Sequence, residues 1–326
     1  MSLNASRRMR GSIAALAVFG AAMAPQLAQA QNYPNKPITV VVPFGAGSGT
    51  DIACRIFNKG AEDVLKQAMI VDNKPGGAAV VGTNYVAKAA PDGYTLLCLG
   101  GGSVSKTFVK NIPVDLLSEL TPVVQIARGA MFLIASDAVP GKTAQEFVEF
   151  IKKNPGKYNY ASIASTQMMP MEVLKDKAAL QMVHIPYKSL AGVQQAIASG
   201  DVVAYVSNQT GMESLFQSGK LRFLATLSEE RNPCQPNVPA APEVGLKGVS
   251  APFSQGYWAP ARTPADVIGR LNEAYNASLK TQPVQDYIRV NCSTAGGGAP
   301  RVQGDWVRNE HNYWTEAARI SKFVPD

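Results

Sequence analysis

Residues 34–51 read PNKPITVVVPFGAGSGTD. Ile38, Thr39, Val40, Val41 and Val42 form a β-branched apolar run of the kind that makes a buried strand. Pro43-Phe44 ends it, Gly45-Ala46-Gly47-Ser48-Gly49 reads as a turn, and Thr50-Asp51 stands before a helical pattern. Thr50 or Asp51 is expected to cap that helix, whose first backbone N–H groups then point back into the turn. Strand, Gly/Ser turn and helix N-terminus together make an anion site; a tight βα turn is the plainer reading of the same residues.

Three familiar loop motifs fail on spacing. A Walker loop needs glycine-lysine where Thr50-Asp51 stand, and the dinucleotide fingerprint needs a glycine where Thr50 stands. A hydrolase elbow centred on Ser48 needs glycines at Ala46 and Thr50.

The N-terminus reads as an export signal: Arg7, Arg8 and Arg10, an apolar stretch over 13–24, and the small-x-small pattern Ala28-Gln29-Ala30, with cleavage expected after Ala30. The apolar stretch is short for a bilayer span, so a soluble periplasmic protein is expected. Removing it takes three arginines and no acids from 31 basic and 24 acidic residues, leaving 28 against 24, a net +4. Such a mildly basic surface without a polybasic run argues against nucleic acid as a partner. The remaining length suits two domains.

Beyond the first loop, strand-like and helix-like segments alternate, which argues α/β architecture with mostly parallel sheets. Helices are expected over 51–67, 81–89, 143–153, 169–179, 191–199, 264–280 and 304–321. Strands are expected over 38–42, 68–71, 94–99, 131–136, 158–161, 184–187, 202–206 and 257–259. Residues 228–256 read as irregular chain rich in proline and glycine.

Four stretches in order, YPNKPITVVVPFGAGSGTD (33–51), NKPGGAAVVGT (73–83), APDGYTLL (90–97) and HIPYKS (184–189) with SGDVVAYVSN (199–208), resemble the Bug/TctC family. Its members are the periplasmic solute-binding proteins of tripartite tricarboxylate transporters. The resemblance implies a two-domain, Venus-flytrap α/β fold with a mostly parallel sheet in each domain and a hinge of crossover strands. Domain I comprises 31–127 and 256–326, and domain II is the insertion 128–255.

A small organic carboxylate is expected between the domains, with no cofactor and no metal. Integral-membrane transporter subunits are the expected partners, a membrane sensor kinase being the alternative, and the protein is expected to be a monomer. By match, the binding residues fall in the first loop (Phe44, Ala46, Gly47, Ser48, Gly49, Thr50, Asp51), the second loop (Gly77, Ala78) and the facing loop (Ser162, Thr166, Gln167). Tyr187, Lys188 and Asn208 complete the set. Asp51 reads more simply as a capping residue than as a ligand partner. Lys188 reads either as a contact for a second anionic group or as a solvated lysine. Lys106, Lys110 and Arg128 are further cations without a place in this scheme.

The chain departs from the family pattern where it matters for the ligand. Gly47-Ser48 replaces a Gly-Gly pair, Pro75-Gly76-Gly77-Ala78-Ala79 replaces P-G-x-G-G with Val80 where a polar residue is usual, and the facing loop lacks glycine. Met168, Met169 and Met171 follow that loop. They read either as ordinary helix core or as an adaptable apolar wall that suits an acid with an apolar or aromatic body.

An enzyme is not indicated. His184 lies in an apolar strand and His311 on an amphipathic helix, neither with metal-ligand spacing, and no nucleophile has a base in a recognisable motif; a periplasmic hydrolase is the remote alternative. Of four cysteines, Cys234 and Cys292 lie in irregular polar segments of an exported chain and are expected to be bridged. The chain-entropy model gives a loop of that length roughly 4 kcal/mol. Cys54 and Cys98 lie in apolar patterns and are expected to be free thiols.

Overall fold

The computed structural model describes residues 33–100, 102, 104–105, 107–108, 112–321 and 323. The expected leader with its cleavage after Ala30, and Lys106 and Lys110, lie outside the described residues.

Two sheets organise the chain. In the first, β1 (Ile38–Val42) pairs in parallel with β2 (Met69–Asn73) and β3 (Thr95–Leu99). The β1–β2 crossover is α1 (Gly49–Leu65), and α2 (Val80–Ala87) precedes β3. After a short α3 (Leu116–Glu119), the long β4 (Leu120–Ala130) runs almost directly into β5 (Phe132–Ser136), which belongs to the second sheet.

The second sheet continues through α4 (Ala144–Lys152), β6 (Asn159–Ser162), α5 (Ser165–Ala178), β7 (Val183–Pro186), α6 (Leu190–Ser199), β8 (Ala204–Ser207), α7 (Glu213–Gln217) and β9 (Leu221–Thr226). β10 (Pro252–Pro260) then returns to the first sheet, followed by α8 (Ala265–Ser278), α9 (Gln282–Val290), β11 (Thr294–Ala295) and α10 (Pro300–Ile320). Strand order is β11-β4-β10-β3-β1-β2 in the first sheet and β7-β6-β8-β5-β9 in the second. Each therefore has a parallel core of three strands, extended by antiparallel pairings: β10 with β3 and β4, β11 with β4, and β5 with β8 and β9.

The crossovers are locked where they pass between sheets. Met131 donates its N–H to the Ala251 carbonyl, Leu227 to the Met131 carbonyl and Ala251 to the Leu227 carbonyl, each at 2.9 Å. The first core closes between α1 and α8, where a Cβ on Gly60 would stand 2.7 Å from Ser278 Cβ. Buried Asn58 accepts there from the hydroxyls of Tyr257 (2.7 Å) and Tyr275 (3.0 Å). Trp314 and Ala317 of α10 pack in the second core, alongside Met169, Met171 and Phe147.

Several readings needed correction. β4, β9 and α9 carried no expectation, and β10 begins at Pro252, inside the stretch read as irregular. α5 starts at Ser165 rather than at 169, because Gln167 closes its first turn. Met169 and Met171 are fully buried in the second core and do not line the interdomain cleft, so the adaptable wall assigned to them is absent from those positions. In the second loop, Gly76, Gly77, Ala78 and Ala79 all have positive φ (139°, 54°, 49° and 77°), so two alanines occupy a conformation that favours glycine.

Cys234 and Cys292 are bonded, with Cα atoms 5.3 Å apart. The bridge joins the segment after β9 to the segment after α9, while Cys54 and Cys98 are free and buried. Denatured without reductant, the protein is expected to titrate with two thiols; four would show the bridge absent. Ala78→Gly is expected to raise stability by about 1 kcal/mol through release of the left-handed strain, read as an upward shift of the urea midpoint at unchanged slope.

Candidate ligand-binding cleft

The first loop is built by one side chain. Ser48, with extended backbone (φ −68°, ψ 158°), caps α1, its hydroxyl accepting the Asp51 N–H at 3.3 Å. The cap is thus neither Thr50 nor Asp51: the helix starts at Gly49, and both residues lie in its first turn. Asp51, only 3 % exposed, turns its carboxylate back into the loop. It accepts from the Gly47 N–H (2.9 Å), Asn73 Nδ2 (3.0 Å) and Arg55 Nε (3.1 Å). Burial raises its pKa, but the hydrogen bonds from Arg55, Gly47 and Asn73 overcome that and hold it below the usual carboxylate range. Asn73 also donates to the Phe44 carbonyl at 3.0 Å, so both ends of the loop are tied to β2.

The facing loop is built in the same manner from the second sheet. Gln167 Oε1 accepts the N–H of Ile163 (2.8 Å) and Ala164 (3.3 Å), while its Nε2 donates to the Tyr205 hydroxyl (2.8 Å). Ala164 at the N-cap offers no side-chain acceptor. Among the described residues, the N–H groups of Gly49 and Thr50 on α1, and of Ser165 and Thr166 on α5, take no partner within the chain. Two helix N-termini, each with unengaged donors, therefore border one cleft.

The cavity between them encloses about 110 Å³. Phe44, Ser48, Gly49 and Thr50 line one side; Ile163, Ala164, Thr166, Gln167, Leu190, Tyr205, Ser207, Asn208 and Thr210 line the other. Gly100, Gly102, Met131, Phe253, Ser254, Gln255 and Glu310 make the floor. No lysine or arginine is among these described lining residues, and the two helix N-termini supply positive potential at the walls through their backbone N–H groups and dipoles. Burial pushes the Tyr205 phenol up to about 12, so it stays protonated and able to donate. Gln255 donates to Thr50 Oγ1 at 3.2 Å and leaves its buried Oε1 without a partner. The walls close on each other: a Cβ on Gly49 would lie 3.7 Å from Thr210 Cβ, and one on Gly45 3.4 Å from the Lys188 carbonyl oxygen.

Of the residues singled out in the sequence, Phe44, Ser48, Gly49, Thr50, Thr166, Gln167 and Asn208 come together on this cavity. The others stand elsewhere. Ala46 and Gly47 are exposed on the outer side of the loop, and Asp51 lies behind it. Gly77 and Ala78 sit in the separate turn before α2. Ser162 is buried beneath the facing loop, its hydroxyl 2.7 Å from His184 Nε2. Tyr187 donates its N–H to the Ser162 carbonyl (2.8 Å), and Lys188 is exposed at the rim. Arg128, on β4, stacks over Trp306 at 5.3 Å, away from the cavity.

Sequence reasoning missed Tyr205, Ser207, Thr210, Gln255 and Glu310. Tyr205 and Ser207 lay inside the quoted run SGDVVAYVSN, where alternation toward Asn208 was a usable signal. Gln255 lay in chain read as irregular, and Glu310 reads locally as the polar face of an amphipathic helix.

Residues 53–291 match the model of the tripartite tricarboxylate transporter family receptor, TctC. A UPF0065 protein from the gbd 5′ region of Cupriavidus necator is 34% identical over 272 residues, covering 82% of each chain. The structure of the periplasmic binding protein BugD superposes with a TM-score of 0.84 at 26% identity, covering 90% of this chain and 100% of that one. The R. palustris protein Rpa4515, solved with adipate, gives 0.85 at 26% identity and the same coverage. The chain belongs to the TctC family of solute-binding receptors. No helix among the described residues is long and apolar enough to cross a membrane.

Asp51→Ala leaves three donors without their acceptor and is expected to cost about 1–3 kcal/mol of stability near neutral pH. Because the folded pKa is depressed, that contribution is present above the ordinary carboxylate value and is lost as pH falls through the folded one. The native-minus-variant difference in urea unfolding should therefore shrink as the pH is taken below the ordinary carboxylate range; a difference that stays undiminished down to the acid unfolding limit would refute a charged network.

Proposed function

We propose that this protein captures one small organic carboxylate between its two domains and delivers it to a tripartite tricarboxylate-type membrane permease. The observation that carries the reading is the pair of helix N-termini, α1 and α5, whose unengaged N–H groups face one interdomain cavity with no lysine or arginine among its described lining residues. Hydrogen bonds to a charged group contribute about 1.5–3 kcal/mol each, and micromolar affinity needs only about 8 kcal/mol. Four backbone donors, the Tyr205 phenol and the hydroxyls of Thr50 and Thr166 are sufficient without an arginine.

Phe44, Ile163, Leu190, Met131 and Phe253 supply the apolar walls, which favour a ligand with an aliphatic or aromatic body over one with polar groups all round. Family membership supports the permease as partner, and adipate in Rpa4515 supports a small dicarboxylate as the first compound to try. We take the working division as residues 31–127 with 256–326, and 128–255, with β4 and β10 as the hinge strands. The mature protein acts in the periplasm as a monomeric binding module without turnover.

A thermal-shift screen over linear dicarboxylates, hydroxy acids and aromatic acids tests this. At a hundredfold excess over Kd, a ligand of the folded form adds about 2.7 kcal/mol, several degrees of melting temperature at roughly 2–4 °C per kcal/mol. Proline at the first position of a helix keeps the helix and deletes one N–H. Gly49→Pro and Ser165→Pro should therefore each weaken the best hit by about 1.5–3 kcal/mol while the apo melting curve stays in place. Unchanged affinity in both variants would place the carboxylate elsewhere.

A further inference from the structure

Among the described residues that line the cavity, Glu310 is the one carboxylate. α10 carries it to the cleft floor, where it is 4 % exposed and lines both the ligand cavity and the wider groove behind the hinge. Ser254 of β10 donates its hydroxyl to Glu310 Oε2 at 3.1 Å, and the backbone N–H groups of Ser254 and Gly102 also reach the carboxyl. Among the described residues it makes no ion pair. Its titratable surroundings among the described residues are sparse. Tyr205 stands on the opposite cleft wall; Arg128, Glu230, Arg231 and Tyr313 line the rear groove. Arg128 is stacked on Trp306, Arg231 is paired with Glu243, and the neighbouring His311 lines a different pocket with Asp115 and Thr315.

An ionised, unpaired carboxylate on the floor of a small cavity would repel a carboxylate ligand and would itself be costly to bury. A carboxylic acid has neither defect, and it offers an O–H that a carboxylate lacks. We propose that Glu310 is a ligand-contacting residue, neutral in the working protein, whose O–H donates to a second oxygen of the bound acid. This assignment rests on the reading of the cleft as a carboxylate site. It sets specificity: the α1 and α5 termini take one carboxylate, and Glu310 selects acids with a second oxygen acceptor at the far end. Burial supports the neutral form, pushing the Glu310 pKa up to about 8 against the hydrogen bonds from Ser254, Trp306 and Gly102 that lower it. A ligand's negative charge pushes it further in the same direction.

Two measurements on the native protein, Glu310→Gln and Ser254→Ala test this. Without ligand, an acid whose folded pKa is raised stabilises the fold at low pH and loses that contribution as pH rises toward about 8. Native protein should therefore lose stability relative to Glu310→Gln between mildly acidic pH and pH 8, and no relative loss overturns the neutral assignment. With succinate, glutarate and adipate as probes, native affinity should be level up to about pH 8 and then fall about tenfold per pH unit, as for one linked proton. The Glu310→Gln profile should be level throughout. Ser254→Ala, which removes a donor to the ionised form, should move the alkaline fall to higher pH. A level native profile, or the same fall in Glu310→Gln, overturns the proposal while leaving the carboxylate cleft intact. Preference for an ω-amino acid, lost in Glu310→Gln, overturns it in favour of an ionised Glu310 pairing a cation. Failure of every acid to bind at any pH overturns the cleft reading and this contact with it, and the ligand-free comparison still reports the charge of Glu310.

Discussion

A loop can offer its backbone donors to a ligand only if something else holds it open, and here that is the Asp51 carboxylate. Left to itself, GAGSG would collapse onto its own carbonyls or wander, since glycine has the most conformational freedom to lose. Asp51 reaches back from the first turn of α1 to the Gly47 N–H and is fixed in turn by Asn73 on β2 and Arg55 one helical turn on. The charge is satisfied on the protein side, so it does not oppose an anion on the cleft side. Gly47 serves by its φ of +78° and its donated N–H, with open space around it, and not by close approach to a ligand. The facing loop solves the same problem with a neutral side chain: Gln167 accepts two loop N–H groups and holds Tyr205 with its amide.

Because the two anchored loops belong to different sheets, their separation is governed by the connections between sheets. β4 runs into β5 with one residue between them, and β10 returns beside β4, with Met131, Leu227 and Ala251 hydrogen-bonded at the crossing. A short, paired crossing bends more readily than it slides, which suits a hinge. α10 and the Cys234–Cys292 bridge add constraint on the hinge side. Trp314 packs in the second core, Asn232 Nδ2 donates to the Cys292 carbonyl at 2.8 Å, and Gln209 and Thr210 reach Val290 and Asn291. Residues 290–292 therefore bind the second sheet's loops to the helix that leads into β11. Opening must carry this segment along or break it.

The parallel cores were legible because βαβ units announce themselves: β1, its glycine turn and α1 are visible in eighteen residues, and β6 to β8 repeat the alternation. What failed was long-range antiparallel pairing. β4 and β10 draw their stability from each other, and the mixed run Leu120–Ala130 and the proline-bounded run Pro252–Pro260 carry no local period strong enough to announce a strand. The site divides along the same line. Ser48, Gly49, Thr50, Thr166 and Gln167 occupy a helix cap and two first helical turns whose chemistry is local. Gln255 and Glu310 reach the cleft only because the C-terminal segments fold back beneath it, and no spacing in their own neighbourhoods reports that. The same limit made Met169 and Met171 look like cleft residues: their sequence proximity to the loop was real, but α5 turns them into the core.

The absence of lysine and arginine from the described cavity lining has a consequence for how the proposed site would discriminate. A cationic side chain would attract any anion and lend affinity with little shape preference. Backbone donors at two helix termini are fixed in direction and gain most when both are engaged, which requires the domains to be closed around a group of carboxylate size. On the proposed reading, the affinity for one carboxylate is thereby coupled to closure, and discrimination among acids passes to the rest of the cavity. There, among the described residues, the polar groups with capacity left for a ligand include Gln255 Oε1, the Tyr205 hydroxyl proton and the Glu310 carboxyl, whose Oε2 already accepts from Ser254. With apolar walls between the two ends, an acid that leaves any of these unpaired pays the desolvation of a buried polar group as well as losing a bond. If the cleft takes a carboxylate as proposed, selectivity comes from the far end of the ligand, while the near end supplies the signal to close.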